Sequence, residues 1–79
     1  MDILDIYKNI EKEYLKAIIK HPYWPDDIIY SVSIMNEESG ESIRAALNHI
    51  YEDGTKEEII KEVTQTAAMC VRILVNIND

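Results

Sequence analysis

The chain has one cysteine, Cys70. It therefore forms no internal disulfide and offers no thiolate set for zinc or an iron–sulfur cluster. It has only two glycines and two prolines, too few for a flexible linker or a low-complexity segment. Basic residues are also scarce, with eight Lys and Arg against fifteen Asp and Glu and a formal net charge of −7. That balance argues against a nucleic-acid partner, because phosphate backbones are held by clustered Lys and Arg. No apolar run approaches the ~20 residues of a membrane span. No basic-then-apolar leader opens the chain, so a cytoplasmic protein away from membranes is expected. A Gly-rich phosphate loop, a Ser/His/Asp arrangement and a basic-aromatic patch are all missing from the pattern.

What is present is a strongly patterned helical sequence, 47% hydrophobic. Its length predicts one domain over residues 1–79. A domain this small buries a thin core, so self-association is expected to add stability. Helices are predicted near residues 3–20, 26–52 and 56–77. In the first, Ile3, Ile6, Tyr7, Ile10, Tyr14, Ala17 and Ile18 recur at helical spacing, with Lys8, Glu11, Lys12 and Lys16 opposite. His21-Pro22-Tyr23-Trp24-Pro25 ends it, since the residue before proline is pushed to extended geometry. The second is expected to start at Pro25, with Asp26 and Asp27 complementing the helix dipole, and to stop before Gly54. Thr55-Lys56-Glu57-Glu58 matches a capping box that opens the third.

The apolar stripes predict the packing. Ile28, Ile29, Val32, Met35, Ile43, Ala46, Leu47 and Ile50 form the main stripe of the second helix. Ile59, Ile60, Val63, Ala67, Cys70, Leu74 and Ile77 form that of the third, with Ala68, Val71 and Val75 extending it. A helix apolar almost all round is buried on more than one side. The expected architecture is therefore all-α, a three-helix subunit closing into a homodimeric or tetrameric bundle.

Acidic residues interrupt this pattern at two places. Glu37-Glu38-Ser39-Gly40-Glu41 lies on the second helix and Glu62-Val63-Thr64-Gln65 on the third. Glu38 and Glu41, at i and i+3, share a side of the helix with Ile34, Ala45 and Asn48. A solvated face would not ordinarily carry Ile34 and Ala45, so these carboxylates are expected at the edge of a packed surface. The short turn makes the two helices antiparallel, and convergent carboxylates suit a hard divalent cation such as Mg²⁺.

With these residues the chain resembles the all-α nucleoside triphosphate pyrophosphohydrolases of the MazG-like superfamily, above all its short phage and prophage members. Their signature is Glu-Glu-x-x-Glu on one helix and Glu-x-x-Asp on the next. Residues 37–41 fit the first element, and residues 62–65 fit the second except that Gln65 stands where the family has Asp. The resemblance spans about Trp24 to Ile77. It implies an oligomer of helical subunits, a nucleotide substrate cleaved between its α- and β-phosphates, and Mg²⁺ as cofactor, with Mn²⁺ as the alternative ion. It implies Glu38, Glu41 and Glu62 as metal ligands adjoined by Gln65, and a supporting catalytic role for Glu37. Lys61, Arg44 and Arg72 are the bases nearest the acidic cluster and the candidates for phosphate binding. Gln65 brings an oxygen ligand without a charge, so slow or absent hydrolysis is expected.

The remaining candidates read as structural. His21 and His49 match no ligand spacing and are expected at the surface or at helix ends. Cys70 lies on the core stripe as a buried thiol, and Tyr23 and Trp24, between two prolines, are expected to anchor packing. A second functional class stays open, that of a non-catalytic acidic helical protein of phage or prophage origin that docks on another protein.

Overall fold

Three helices carry the fold in the computed structural model, which describes residues 1–77. They are α1 (Ile3–Lys20), α2 (Ile28–Tyr51) and α3 (Lys56–Asn76). Each begins where a short polar side chain can satisfy free amide groups. Asp2 accepts from the Leu4 amide, Asp27 from the Tyr30 amide at 2.9 Å and Thr55 from the Glu58 amide at 3.2 Å. The start of α2 is thus later than Pro25 predicts, because the Asp27 carboxylate provides the stronger cap. The Ser31 hydroxyl then ties the entry down, donating to the carbonyls of Pro25 and Asp27 at 3.0 and 2.9 Å.

The α2–α3 turn is closed by two amides, Glu52 and Gly54, that both donate to the Asn48 carbonyl at 2.8 Å. Asp53 takes the left-handed conformation with φ 61°. Gly54 has no positive φ. It is needed for space, since a Cβ there would lie 2.9 Å from the Asn48 Cβ. His49 Nδ1 lies 2.7 Å from the Gly54 carbonyl and finishes the turn, the helix-end role its position predicts.

Helix α3 is central. Both α1 and α2 pack on it, and among the described residues they do not pack on each other. The α2–α3 contact is made of small and polar groups. Ser42 Oγ and Thr66 Oγ1 share a hydrogen bond at 3.1 Å, and the buried apolar residues are Ala45 and Ala68, at 5% and 1% exposure. No large side chain is fully buried among the described residues.

The expected core stripes are therefore corrected. Ile28, Ile29, Val32, Ile43, Leu47 and Ile50 on α2 face outward, as do Ile60, Val63, Leu74 and Ile77 on α3. Small residues let the α2 and α3 backbones approach closely, whereas the bulky stripes would hold them apart. Three helices also lack the surface to cover both sides of α2 and α3. The α1 stripe keeps its inward sense from Ile10 onward and at Ile6, with Ile6, Ile10, Tyr14, Ala17 and Ile18 half-buried, whereas Ile3 and Tyr7 are exposed.

One charged residue holds α1 in place. Arg72 on α3 is 3% exposed. Its guanidinium donates to the carbonyls of Ala17 (3.1 Å) and His21, and more distantly to that of Tyr23 (3.4 Å). These carbonyls lie at the negative end of α1 and just beyond it, where a cation is favoured, and that of Ala17 also accepts the His21 amide at 2.9 Å. The guanidinium carbon also lies 4.8 Å from the centre of the Trp24 ring, a cation–π distance.

An ammonium cannot span these carbonyls as a planar fork does. Arg72→Lys is predicted to cost about 2 kcal/mol of stability, the scale of a lost charge-assisted hydrogen bond. Trp24 is the only tryptophan, so urea unfolding followed by its emission reads the change at the junction itself. An unchanged midpoint would remove Arg72 as the α1 anchor.

A candidate anion groove with an acidic rim

Because α1 and α2 are separate neighbours of α3, a groove of about 1120 Å³ opens between them. Glu13, Lys16, Ala17 and Lys20 form the α1 wall, and Tyr30, Ile34 and Glu38 the α2 wall. Lys61, Gln65, Ala68, Met69 and Arg72 make the floor, and Tyr23 and Trp24 close one end. Lys16, Lys20, Lys61 and Arg72 line it against only Glu13 and Glu38. Half of the chain's eight bases thus meet two of its fifteen acids, so the groove is locally cationic in an anionic protein.

The acidic residues stand at its rim. Glu38 is half-buried, and its carboxyl is raised above the ordinary 4.5, first by desolvation and then by the charges of Glu62, Glu41 and Glu37 in that order. The acids of both motifs therefore act on one another, as their placement on adjacent helices predicts. They are nevertheless strung out along the helices. Ser42 and Thr66 face each other, and Glu38 and Glu62 each precede that contact by one turn on antiparallel strands of the pair. Their backbones are therefore offset by about 12 Å along the axis. Among the described residues no three His, Cys, Asp or Glu side chains are grouped so as to hold a metal ion. The carboxylates form a row of negative potential rather than a closed cage.

The structure sorts the candidate residues. Glu38, Gln65, Lys61 and Arg72 line one groove. Glu62 is half-buried beside it and Glu41 is exposed. Glu37 and Arg44 are exposed and line no part of it. Arg72 is corrected from phosphate ligand to structural anchor, because its terminal nitrogens are spent on the α1 carbonyls. Two groove bases, Lys16 and Lys20, were not apparent from the sequence. Their i, i+4 spacing reads as a solvated face, and only the docking of α1 on α3 turns them toward Lys61. Lys16 also lies 3.4 Å from Glu13 in an exposed pair, which contributes little energy. Trp24 stands against Arg72 at the junction, whereas Tyr23 is 91% exposed and is corrected from a packing anchor; both line the groove's aromatic end.

No family model, no curated protein and no solved structure matches this chain. Among the described residues no helix is long and apolar enough to cross a membrane.

The raised Glu38 carboxyl has a consequence for stability. The folded state holds this proton more tightly than the unfolded state does, so the group's stabilising contribution is complete below about pH 4.5 and is lost as pH rises through the folded value. Glu38→Gln is predicted to raise the apo melting temperature at pH 7, with the gap from wild type closing at pH 4 and below. Parallel melting curves at both pH values would show that Glu38 carries no such strain.

Proposed function

We propose that the chain is a MazG-like nucleotide pyrophosphohydrolase, or a nucleotide-binding descendant of one, working in the cytoplasm as a homo-oligomer with Mg²⁺. The observation that carries this reading is the meeting of two opposite features in one groove. Lys20 and Lys61 offer positive charge for phosphates, while Glu38 and Gln65 offer oxygen ligands for a cation. A nucleoside triphosphate with its divalent ion needs both. The aromatic end at Trp24 and Tyr23 gives a flat base an apolar surface to lie on.

The residues fit Mg²⁺ in their chemistry. All the candidate ligands present oxygen, the donor this ion prefers, and it is commonly held by one or two carboxylates together with substrate phosphates rather than by a protein cage. The Glu38 carboxyl is raised first by desolvation and then by the charges of Glu62, Glu41 and Glu37, and a cation would relieve that second, coulombic part. Glu38 and Gln65 would hold the ion at the groove, with Glu41 and Glu62 adding to the attractive potential. When bound, Mg²⁺ neutralises phosphate charge and polarises the phosphorus–oxygen bonds. Lys20 and Lys61 would orient the phosphate chain. Water adds to the α-phosphorus, the bond from it to the α–β bridging oxygen breaks, and a nucleoside monophosphate and pyrophosphate leave. Glu37 and Arg44 have no part in this reading.

The second reading is a non-catalytic helical interaction protein, favoured by the outward apolar stripe of α2. The two readings part in a thermal melt. With millimolar Mg²⁺ and a panel of nucleoside triphosphates, a preserved site raises the melting temperature for Mg²⁺ with nucleotide beyond Mg²⁺ alone, and Lys61→Glu abolishes the difference. Gln65→Asp is predicted to strengthen Mg²⁺ binding about tenfold by calorimetry, because it adds a charged ligand to the rim. No nucleotide-dependent shift, with equal Mg²⁺ binding by wild type, Gln65→Asp and Glu41→Ala, would hand the lead to the interaction reading.

A further inference from the structure

The most apolar surface of the molecule has no partner within the chain. On α2, Ile29, Leu47 and Ile50 are 83%, 53% and 67% exposed, with Val32 and Ile43 beside them. At about 100° per residue these five share one side of α2. Tyr30, Ile34 and Glu38, which line the groove, lie on another. The outward α3 residues Ile60, Val63 and Leu74 share one side of that helix in the same way.

The area left uncovered is large. A compact monomer of 9.2 kDa exposes about 4,900 Å², whereas this chain exposes 6238 Å². The excess of roughly 1,300 Å² exceeds the ~800 Å² that each partner contributes to a standard interface. The shape agrees with this. The radius of gyration is 13.5 Å against about 11.6 Å for a globule of this length, and the thinnest dimension, 21 Å, is that of two helix layers.

The α2 stripe is also largely palindromic in position. Reading outward from Ser39-Gly40 in both directions, Val32 mirrors Leu47, Ile29 mirrors Ile50 and Ile28 mirrors Tyr51, while Ile43 falls opposite Asn36. An apolar pattern with that symmetry fits itself when reversed, as a two-fold interface requires. The centre is small, and a Cβ added at Gly40 would meet nothing within 4 Å, so two helices can cross there closely. Charge agrees as well. Glu37 and Arg44 border the stripe on one side, are exposed, and have no salt-bridge partner among the described residues. Antiparallel pairing about that centre brings each Glu37 to within two residues, about 3 Å along the axis, of the other copy's Arg44, so these long side chains can form two symmetric ion pairs from residues the groove does not use.

We infer that the outward face of α2 docks on α2 of a second copy of this chain, antiparallel, about a two-fold axis at Ser39-Gly40. The α3 stripes close the sides, and the two α2–α3 hairpins form a four-helix layer with the grooves facing away from it. The pairing follows from the apolar face and its charges, and it does not rest on the nucleotide reading.

Sedimentation equilibrium of the full chain is expected to give twice the 9.2 kDa mass at micromolar concentration. Leu47→Glu, whose side chain points to solvent in the single chain, is expected to keep its helicity and weaken dimerisation at least about 100-fold. Glu37→Arg is expected to weaken it several-fold, and Glu37→Arg with Arg44→Glu to restore it. Cross-linking tests the direction. In a Cys70→Ser background, Gly40→Cys should form an intermolecular disulfide on mild oxidation. Ile29→Cys should not, because antiparallel helices hold those two positions about 30 Å apart. A monomer at 100 times that concentration, a Leu47→Glu protein that dimerises as wild type does, or a disulfide at position 29 but not at 40 would each overturn the proposal. None of these outcomes bears on nucleotide-dependent melting, so the two ideas fail separately.

Discussion

The position of α1 depends on Arg72, and the groove depends on the position of α1. A guanidinium removed from water carries a large desolvation cost, and among the described residues no carboxylate offsets it. The negative end of a helix does so instead, through the carbonyls of Ala17 and His21, with the Trp24 ring beside it. The match is incomplete, since Arg72 Nε is buried without a partner. The energy is nonetheless spent where it has most structural effect. One side chain fixes the end of a helix, the two prolines after it and the aromatic pair between them. Without that junction α1 would have only its half-buried stripe to hold it on α3, and Lys16 and Lys20 would have no defined place.

The α2–α3 pair is built on a different principle. Its inner surface is small and polar, with Ser42 bonded to Thr66 and Ala45 buried on α2. Such a contact brings backbones near without burying much apolar area, so it yields geometry more than stability. The bulky residues that would supply stability face outward. The two faces of one hairpin thus differ, the inner one setting the register of the acidic rim and the outer one carrying the exposed apolar residues. The register has a chemical consequence, because it spreads the carboxylates into a row. Glu38 then senses Glu62, Glu41 and Glu37 through the field, while among the described residues no three of them are grouped to share a metal ion.

Much of the architecture was legible in the sequence because it is encoded locally. Thr55 as a cap, Gly54 at the turn and His21-Pro22 after α1 are short-range signals, and the helix ends they mark fall within two residues of where they place them, whereas Pro25 placed the start of α2 three residues early. The half-enclosed setting of Glu38 was also legible, since Ile34 and Ala45 on its side of the helix betray a packed neighbour. Packing direction was not. A stripe such as Val32, Ile43, Leu47 and Ile50 announces that it will be covered without saying by what, and periodicity alone assigned it to the chain's own core. Arg72 misled for the same reason. A base close to an acidic motif reads as a ligand for anions, and the carbonyls that claim it lie more than fifty residues away in sequence. Lys16 and Lys20 stayed hidden because their role exists only after α1 docks.

The central claim is that the groove between α1 and α2 receives a nucleoside triphosphate with its Mg²⁺. The most direct measurement is a residue-resolved NMR titration of the labelled protein with Mg²⁺ and a non-hydrolysable nucleoside triphosphate. The account predicts amide shifts gathered at Lys20, Glu38, Lys61 and Gln65, together with a shift of the Trp24 indole. Shifts confined to the outer face of α2, or none at saturating nucleotide, would contradict it.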